Sequence, residues 1–324
     1  MITFIVIGRN EGWKLTKCID SIYIEISNYR QLEFEVLYVD SRSDDDSIAR
    51  VLKYPDLKVY LITGSCNAAI ARNIGAGESK GDLLFFLDGD MELCQDFLDE
   101  ALRLYKLNHD FISGQIEEYY YDENWKYLGN RLVFSNNYLN TYNLTNGGAF
   151  IIKRSLWESV DGMRTKYNRS QDIDLNYRLI KRGHRIFRSD KVYIKHNTIQ
   201  YNYHTGMKTE LKNFKKYLFK GLLIRDHFLN TKIIARNIRI NYSLFLLIIS
   251  IFLIIILENL VLLFPYLIIV FLRSFRQFRL FKRVIKTGIF HFFFKYVYQD
   301  VSGILGMLFF YPKNKSLSYC QIKQ

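Results

Sequence analysis

The chain has 324 residues, 49% hydrophobic and 16% aromatic, which is ample apolar material for one large domain or two modest ones. Its formal charge of +13 raises nucleic acid as a partner until the charge is located along the chain. The four cysteines, Cys18, Cys66, Cys94 and Cys320, show no CxxC spacing. With no secretory leader read in the short run Ile2 to Ile7, they are expected to be reduced thiols in a cytosolic setting.

In chain order, Ile2 to Ile7 reads as a buried strand, followed by the polar break Gly8-Arg9-Asn10 and a helix from about Gly12 to Ser27. Phe34 to Val39 reads as a second strand, closed by the Ser- and Asp-rich run Asp40 to Ser47, where a helix starts. Leu57 to Ile62 is a third strand, Ala68 to Gly77 a helix, Asp82 to Leu87 a fourth strand and Asp96 to Leu107 another helix. Strands alternating with helices predict an α/β fold with a doubly wound, mostly parallel sheet, in which ligands bind beyond the carboxyl ends of the strands. The pattern is looser from Phe111 to Ile152. Helices are then expected at Ser155 to Val160 and at Asp172 to Arg182, the latter stopped by Gly183, with a strand at Lys191 to Lys195.

Residues 1–204 hold 26 basic and 28 acidic side chains. The positive excess lies further on, with nine basic against two acidic in 205–240 and seven against none in 273–299. Between these flanks, Tyr242 to Leu272 is apolar apart from a few small polar residues and the single charge Glu258. Basic clusters beside an apolar span point to an anionic membrane surface and away from nucleic acid. As one helix, 31 residues would run to about 46 Å against a hydrocarbon core of about 30 Å. A hairpin or re-entrant pair breaking near Glu258-Asn259 is therefore preferred, because it keeps both basic flanks on the cytoplasmic side. The stretch Ile289 to Tyr311, rich in Phe and Tyr, reads as an interfacial helix region. The expected organisation is a catalytic domain over 1–205, basic juxtamembrane helices over 206–241, the membrane segment over 242–272 and a basic, aromatic tail over 273–324.

The run Leu83-Leu84-Phe85-Phe86-Leu87-Asp88-Gly89-Asp90 ends an apolar strand in two carboxylates. It is either an Asp-Gly turn capping the strand or an oxygen pair for Mg²⁺ or Mn²⁺ carrying a substrate's phosphates. Asp40, first after its strand, is placed to accept the imide N–H of a pyrimidine, or simply belongs to a solvated turn. Glu11 is a helix-start acid or a nucleotide contact. Arg72, on the helix before the aspartate strand, is either a surface arginine or one that reaches a diphosphate bidentately. Asp172 sits in the first turn of its helix, where the dipole favours an acid, and equally suits a general base. His196 and His204 are structural histidines or a further metal ligand.

Together these residues resemble the family 2 inverting glycosyltransferases of the GT-A fold, over about residues 1 to 205. The resemblance rests on Arg9-Asn10-Glu11, Val39-Asp40-Ser41-Arg42-Ser43-Asp44-Asp45, Ala71-Arg72-Asn73-Ile74-Gly75, Asp88-Gly89-Asp90 and Gln171-Asp172-Ile173-Asp174-Leu175, in the family's order. It implies a nucleotide-sugar site including Asn10, Glu11, Asp40, Arg72 and Asp88, a metal held by Asp88, Asp90 and His196, and Asp172 as the base. Gln171 stands where a Glu is common in the family. The three tryptophans, Trp13, Trp125 and Trp157, all lie away from the membrane stretch, unlike the Gln-x-x-Arg-Trp segment of processive polymerases, so addition of one sugar is expected. The basic C-terminal half is similar to relatives acting on lipid-linked saccharides at the cytoplasmic leaflet in cell-surface polysaccharide assembly. The alternatives are a sugar nucleotidyltransferase and a catalytically silent membrane scaffold of the same fold.

Overall fold

The structure, a computed structural model, describes residues 1–199, 214–281 and 288–323. It divides into one unit of residues 1–200 with 313–324, and a second of residues 201–312.

The first unit is built on a mixed sheet whose first half is parallel. Strands β1 (Ile2–Gly8), β2 (Phe34–Asp40), β3 (Leu57–Ile62) and β4 (Leu83–Asp88) lie in the order β3-β2-β1-β4. Their near-continuous apolar sequences match burial on both faces, and the short helix α2 (Ser47–Val51) follows β2. On one face Phe4, Val6, Phe85 and Leu87 join the core beneath α1 (Trp13–Ser27) and α4 (Phe97–Lys106). On the other, Ile5, Ile7, Leu84 and Phe86 pack with α3 (Ala68–Glu78), α5 (Arg154–Glu158) and α6 (Gln171–Lys181). Each such buried side chain contributes about 1.5–3 kcal/mol by leaving water. The parallel register aligns Gly8 with Asp40 and Ile7 with Asp88, so three chain segments leave the sheet at one edge.

Beyond β4 the pairing is antiparallel except where the strand Ile186–Ile199 runs parallel to Phe111–Tyr121. The stretch read as loose supplies β6 (Phe111–Tyr121), β7 (Tyr127–Leu132), β8 (Thr141–Asn143) and β9 (Phe150–Lys153). The outer part of β6 and the whole of β7 are at most half-buried, so no strong period of two marks them. The strand expected at Lys191 to Lys195 is much longer, β10 (Ile186–Ile199), with irregular register on β6 at Arg188 to Ile194. It also pairs with β5 (Met91–Leu93), setting His196 opposite Met91. Gly183 stops α6 with φ +88°, a conformation that costs a side-chain-bearing residue.

The reading of 273–324 as one interfacial tail does not hold for its end. Residues 313–323 run along the first unit, and β11 (Tyr319–Lys323) pairs antiparallel with β3 at the sheet edge. Backbone pairing to an open edge needs no apolar pattern, which is why Tyr-Cys-Gln-Ile-Lys gives little warning of a strand.

The second unit is helical: α7 (Phe214–Asp226), α8 (Thr231–Ile240), α9 (Tyr242–Leu257), α10 (Phe264–Phe281) and α11 (Ile289–Phe309). The break after α9 falls at Glu258-Asn259, where Glu258 takes φ +50° and Asn259 accepts the amide of Val261. Leu260–Arg279 is a 20-residue helical stretch of mean hydropathy 1.6, long and apolar enough to cross a membrane by length and composition. α8 and α9 together pass the same test but are bent by 94° at the break between them.

Candidate active site

At the carboxyl edge of the parallel strands lies a cavity of about 390 Å³, lined by Gly8, Arg9, Glu11, Ser41, Cys66, Asn67, Asp88 and Asp90 among others. Three loops build its walls and are tied to one another. The Asn10 backbone N–H donates to Ser43 Oγ at 2.9 Å, and its side chain exchanges hydrogen bonds with Asp44. The amides of Glu11 and Gly12 both donate to Ser47 Oγ, at 3.0 and 2.9 Å. Asn10 itself holds a left-handed φ of +58°, which Asn tolerates better than most residues.

Asp40 is fully buried and accepts from the Tyr38 hydroxyl at 2.7 Å and from the Ser43 amide and hydroxyl at 2.7 and 2.6 Å. Those bonds fix the loop that presents Ser41 to the cavity. Asp40 and Asn10 both anchor the loops that border the cavity.

Arg72 is tied to the metal-motif strand. It is only 3% exposed and sends Nη2 to Asp88 Oδ1 at 2.6 Å and to the Gly148 carbonyl at 2.9 Å. The guanidinium thus holds the Asp88 carboxylate against the Gly148 loop. Gly148 belongs to this arrangement and was not foreseen. An ideal Cβ there would lie 2.4 Å from Asp88 Oδ2 and 3.1 Å from Met91 Cε. The Asn-Gly-Gly run was visible in the sequence, but nothing in it said which carboxylate it closes on.

The acids form one electrostatic system. Burial raises the Asp88 pKa, Arg72 opposes that, and the charges of Asp90 and Asp172 push it further up. Glu11 is likewise raised, first by burial and then by Asp90, despite its ion pair with Lys14. Asp90 ends below the ordinary carboxylate value: burial pushes it up, but the hydrogen bond and charge of His196, with Lys14, outweigh that. His196 Nε2 lies 3.3 Å from Asp90 Oδ2. Burial alone would lower its pKa, and Asp90 reverses the sign. Asp90 Oδ1 is buried with no hydrogen-bond partner.

An orphaned carboxylate oxygen beside a second, partly exposed carboxylate is the donor set a hard divalent cation takes. Asp88 and Asp90 therefore fit Mg²⁺ or Mn²⁺. Among the described residues no three His, Cys, Asp or Glu side chains are gathered as a metal cage. His196 is placed as the hydrogen-bond partner of Asp90, and His204 lies outside the described residues.

On α6 the two aspartates separate by burial. Asp174 is fully buried and paired with Arg178 at 2.8 Å and Arg164 at 3.4 Å. Asp172, in the first turn, is half-buried and close enough to Asp88 to perturb it. Asn176 braces this turn, donating to the Asp172 carbonyl at 2.8 Å and to Asn146 Oδ1 at 2.6 Å.

Known proteins resemble this chain in sequence and in fold. Residues 3–158 match the family model described as glycosyl transferase family 2. These residues are a family 2 glycosyltransferase domain. The chain is 29% identical over 121 residues to glycosyltransferase AglE of Haloferax volcanii, covering 36% of this chain and 39% of that protein. It is 26% identical over 258 residues to an uncharacterised glycosyltransferase of Haemophilus influenzae, covering 76% of this chain and 83% of the relative. The chain thus spans less than half the length of the first of these and most of the second. The crystal structure of Staphylococcus aureus TarS residues 1–349 in complex with UDP has the same fold, with TM-score 0.55 at 20% identity over 71% of this chain and 65% of that one. The GT-A-like α/β architecture is therefore shared. Of the two enzyme readings, the family match favours sugar transfer over nucleotidyl transfer.

Proposed function

We propose that the chain is a glycosyltransferase that moves one sugar, with inversion, from a nucleotide-diphosphate sugar to a hydroxyl of a saccharide or lipid-linked acceptor. The observation that carries this is the pair Asp88 and Asp90 lining the cleft, with the charge of Asp172 reaching Asp88. The UDP bound in the related TarS structure supports a nucleotide donor.

Asp172 takes the proton of the acceptor hydroxyl as its oxygen bonds to the anomeric carbon. The bond from that carbon to the diphosphate oxygen breaks, and its electron pair leaves with the diphosphate. Attack opposite the leaving group inverts the anomeric centre. Asp88 and Asp90 would hold Mg²⁺ or Mn²⁺, which when bound neutralises charge on the diphosphate. Arg72 keeps Asp88 ionised and oriented. Asp40, Asn10 and Ser43 keep the nucleotide-side loop closed up.

The second unit supports a membrane-seated enzyme whose catalytic domain faces the cytoplasm. Leu260–Arg279 would span about 30 Å. Around the α9–α10 break, Ile255, Leu257, Leu260, Val261 and Phe264 are all more than half exposed, a surface suited to lipid. The basic flanks favour the cytoplasmic side. A hairpin or re-entrant pair over 242–272, with Ile289–Phe309 at the interface, fits these facts.

Asp172→Asn tests the reading. Transfer, measured with purified full-length chain, Mn²⁺ and a panel of nucleotide sugars, is expected to fall 10²–10⁴-fold, the range for loss of a general base. Calorimetric binding of the nucleotide should persist. Near-normal turnover in the variant would reject Asp172 as the base, and wild-type protein that binds no nucleotide would favour the silent scaffold.

A further inference from the structure

A second cavity of the first unit lies apart from the cleft just described. It has a volume of about 580 Å³ and shares no lining residue with that cleft. Five of its lining side chains are cationic, Arg164, Arg178, Lys181, Arg182 and Lys315, against the single acid Asp161. Arg178, Lys181 and Arg182 follow at i, i+3 and i+4, which sets them on one face of the C-terminal half of α6. Lys315 comes from the chain end that runs back along this unit. It is held there by its backbone amide, which donates to Thr165 Oγ1 at 2.7 Å.

Two bland explanations do not cover this. Cations in a last helical turn answer the partial negative charge of the helix end, which is only about half an elementary charge. Buried Asp174 neutralises one guanidinium, yet it is shared by Arg178 and Arg164. Arg178 is nine-tenths buried, with Nε on Asp174 and Nη1 on the Val160 carbonyl, while its buried Nη2 has no partner. A buried guanidinium N–H left unsatisfied is costly, and an anionic oxygen in the cavity would satisfy it.

We infer that this cavity is a second ligand site, taking a phosphate-bearing anion outside the donor cleft. Phosphate supplies the several acceptor oxygens and the multiple charge that a converging set of Arg and Lys side chains recognises. The volume leaves room for the group esterified to it and falls in the range of small-molecule sites. Lys315 Nζ is 3.1 Å from Asn168 Oδ1, a neutral partner that leaves its charge available. Because Lys315 enters the cavity only with the chain end docked, occupancy and docking of residues 313–323 stabilise each other.

The test is calorimetry on the full chain in detergent, titrating inorganic phosphate, and separately the soluble diester glycerophosphoglycerol, against sodium chloride of equal ionic strength. Saturable binding is expected that weakens at least tenfold in Lys181→Ala/Arg182→Ala, whose changes lie at exposed positions, and in Lys315→Ala. Uridine diphosphate binding with Mn²⁺ should be unchanged in both variants. Tighter binding of phosphate identifies a free monoester-type ligand, and tighter binding of the diester a lipid headgroup or polymer linkage. Absence of saturable binding, or binding that the variants leave intact and that therefore belongs to the donor cleft, overturns the proposal.

Discussion

Arg72→Met isolates what the Arg72–Asp88 pair does. The guanidinium is 3% exposed and bonds both Asp88, at 2.6 Å, and the Gly148 carbonyl, at 2.9 Å. Removing one partner of a fully buried ion pair costs about 3–5 kcal/mol. Asp88 still exposes a third of its side chain, so water screens part of that loss, and about 2–3 kcal/mol is the expected destabilisation. At about 2–4 °C per kcal/mol for a unit of this size, the first unit's thermal midpoint should fall by roughly 4–12 °C. The functional effect has a definite sign. Burial and the neighbouring acids already raise the Asp88 pKa, and Arg72 is what holds it down. Without Arg72 the carboxyl protonates at higher pH. The acid limb of Mn²⁺-dependent nucleotide binding should therefore move to higher pH, measured by calorimetry across pH 5 to 8. Arg72→Lys, which restores the charge without the fork, should recover part of that shift. A Met variant with unchanged thermal midpoint and unchanged pH limb would refute the view that Arg72 orients and ionises Asp88.

Gly148→Ala places a methyl 2.4 Å from Asp88 Oδ2, so the carboxylate must turn away from its place between Arg72 and the loop. Metal-dependent nucleotide affinity should drop about tenfold, or about 1.4 kcal/mol, and equal affinity in the variant would count against this loop's role. Glu35 carries the clearest acid dependence of stability. Burial would raise its pKa, but donors from Lys58, Lys80 and Thr3 leave it below the ordinary glutamate value. Its contribution is therefore present above the unfolded value of about 4.3 and lost as pH falls through the lower folded one. Glu35→Gln should lower the thermal midpoint at pH 7 and close much of that gap by about pH 3, whereas a pH-independent gap would contradict the assignment.

The parallel half of the sheet was legible because its strands are buried on both faces, so each appears as an uninterrupted apolar run. The carboxylates that end β1's neighbours were legible for the related reason that an acid after such a run has few structural uses. Direction of side chains was not. Arg72, Asp40 and Asn10 were expected at the ligand, and the sequence did not show that they would also bond Asp88, Ser43 and Asp44 respectively. Those partners are 16, 3 and 34 residues away, and only the register of β1, β2 and β4 brings the more distant ones into contact. The basic cavity was hidden in the same way. The charge count assigned the whole positive excess to 205–240 and 273–299, because residues 1–204 are nearly balanced. Balance along the chain does not mean balance in space. Arg178, Lys181 and Arg182 lie on one helix face, Arg164 on the preceding loop and Lys315 about 130 residues later, while the compensating acids collect at the opposite end of α6 around Asp88 and Asp90. Asp172 at the first turn and Arg182 just past the last are about 15 Å apart along the axis. One short helix thus carries at its start an aspartate whose charge reaches Asp88, and at its end three cations of the basic cavity, so a near-neutral domain separates its charge in space.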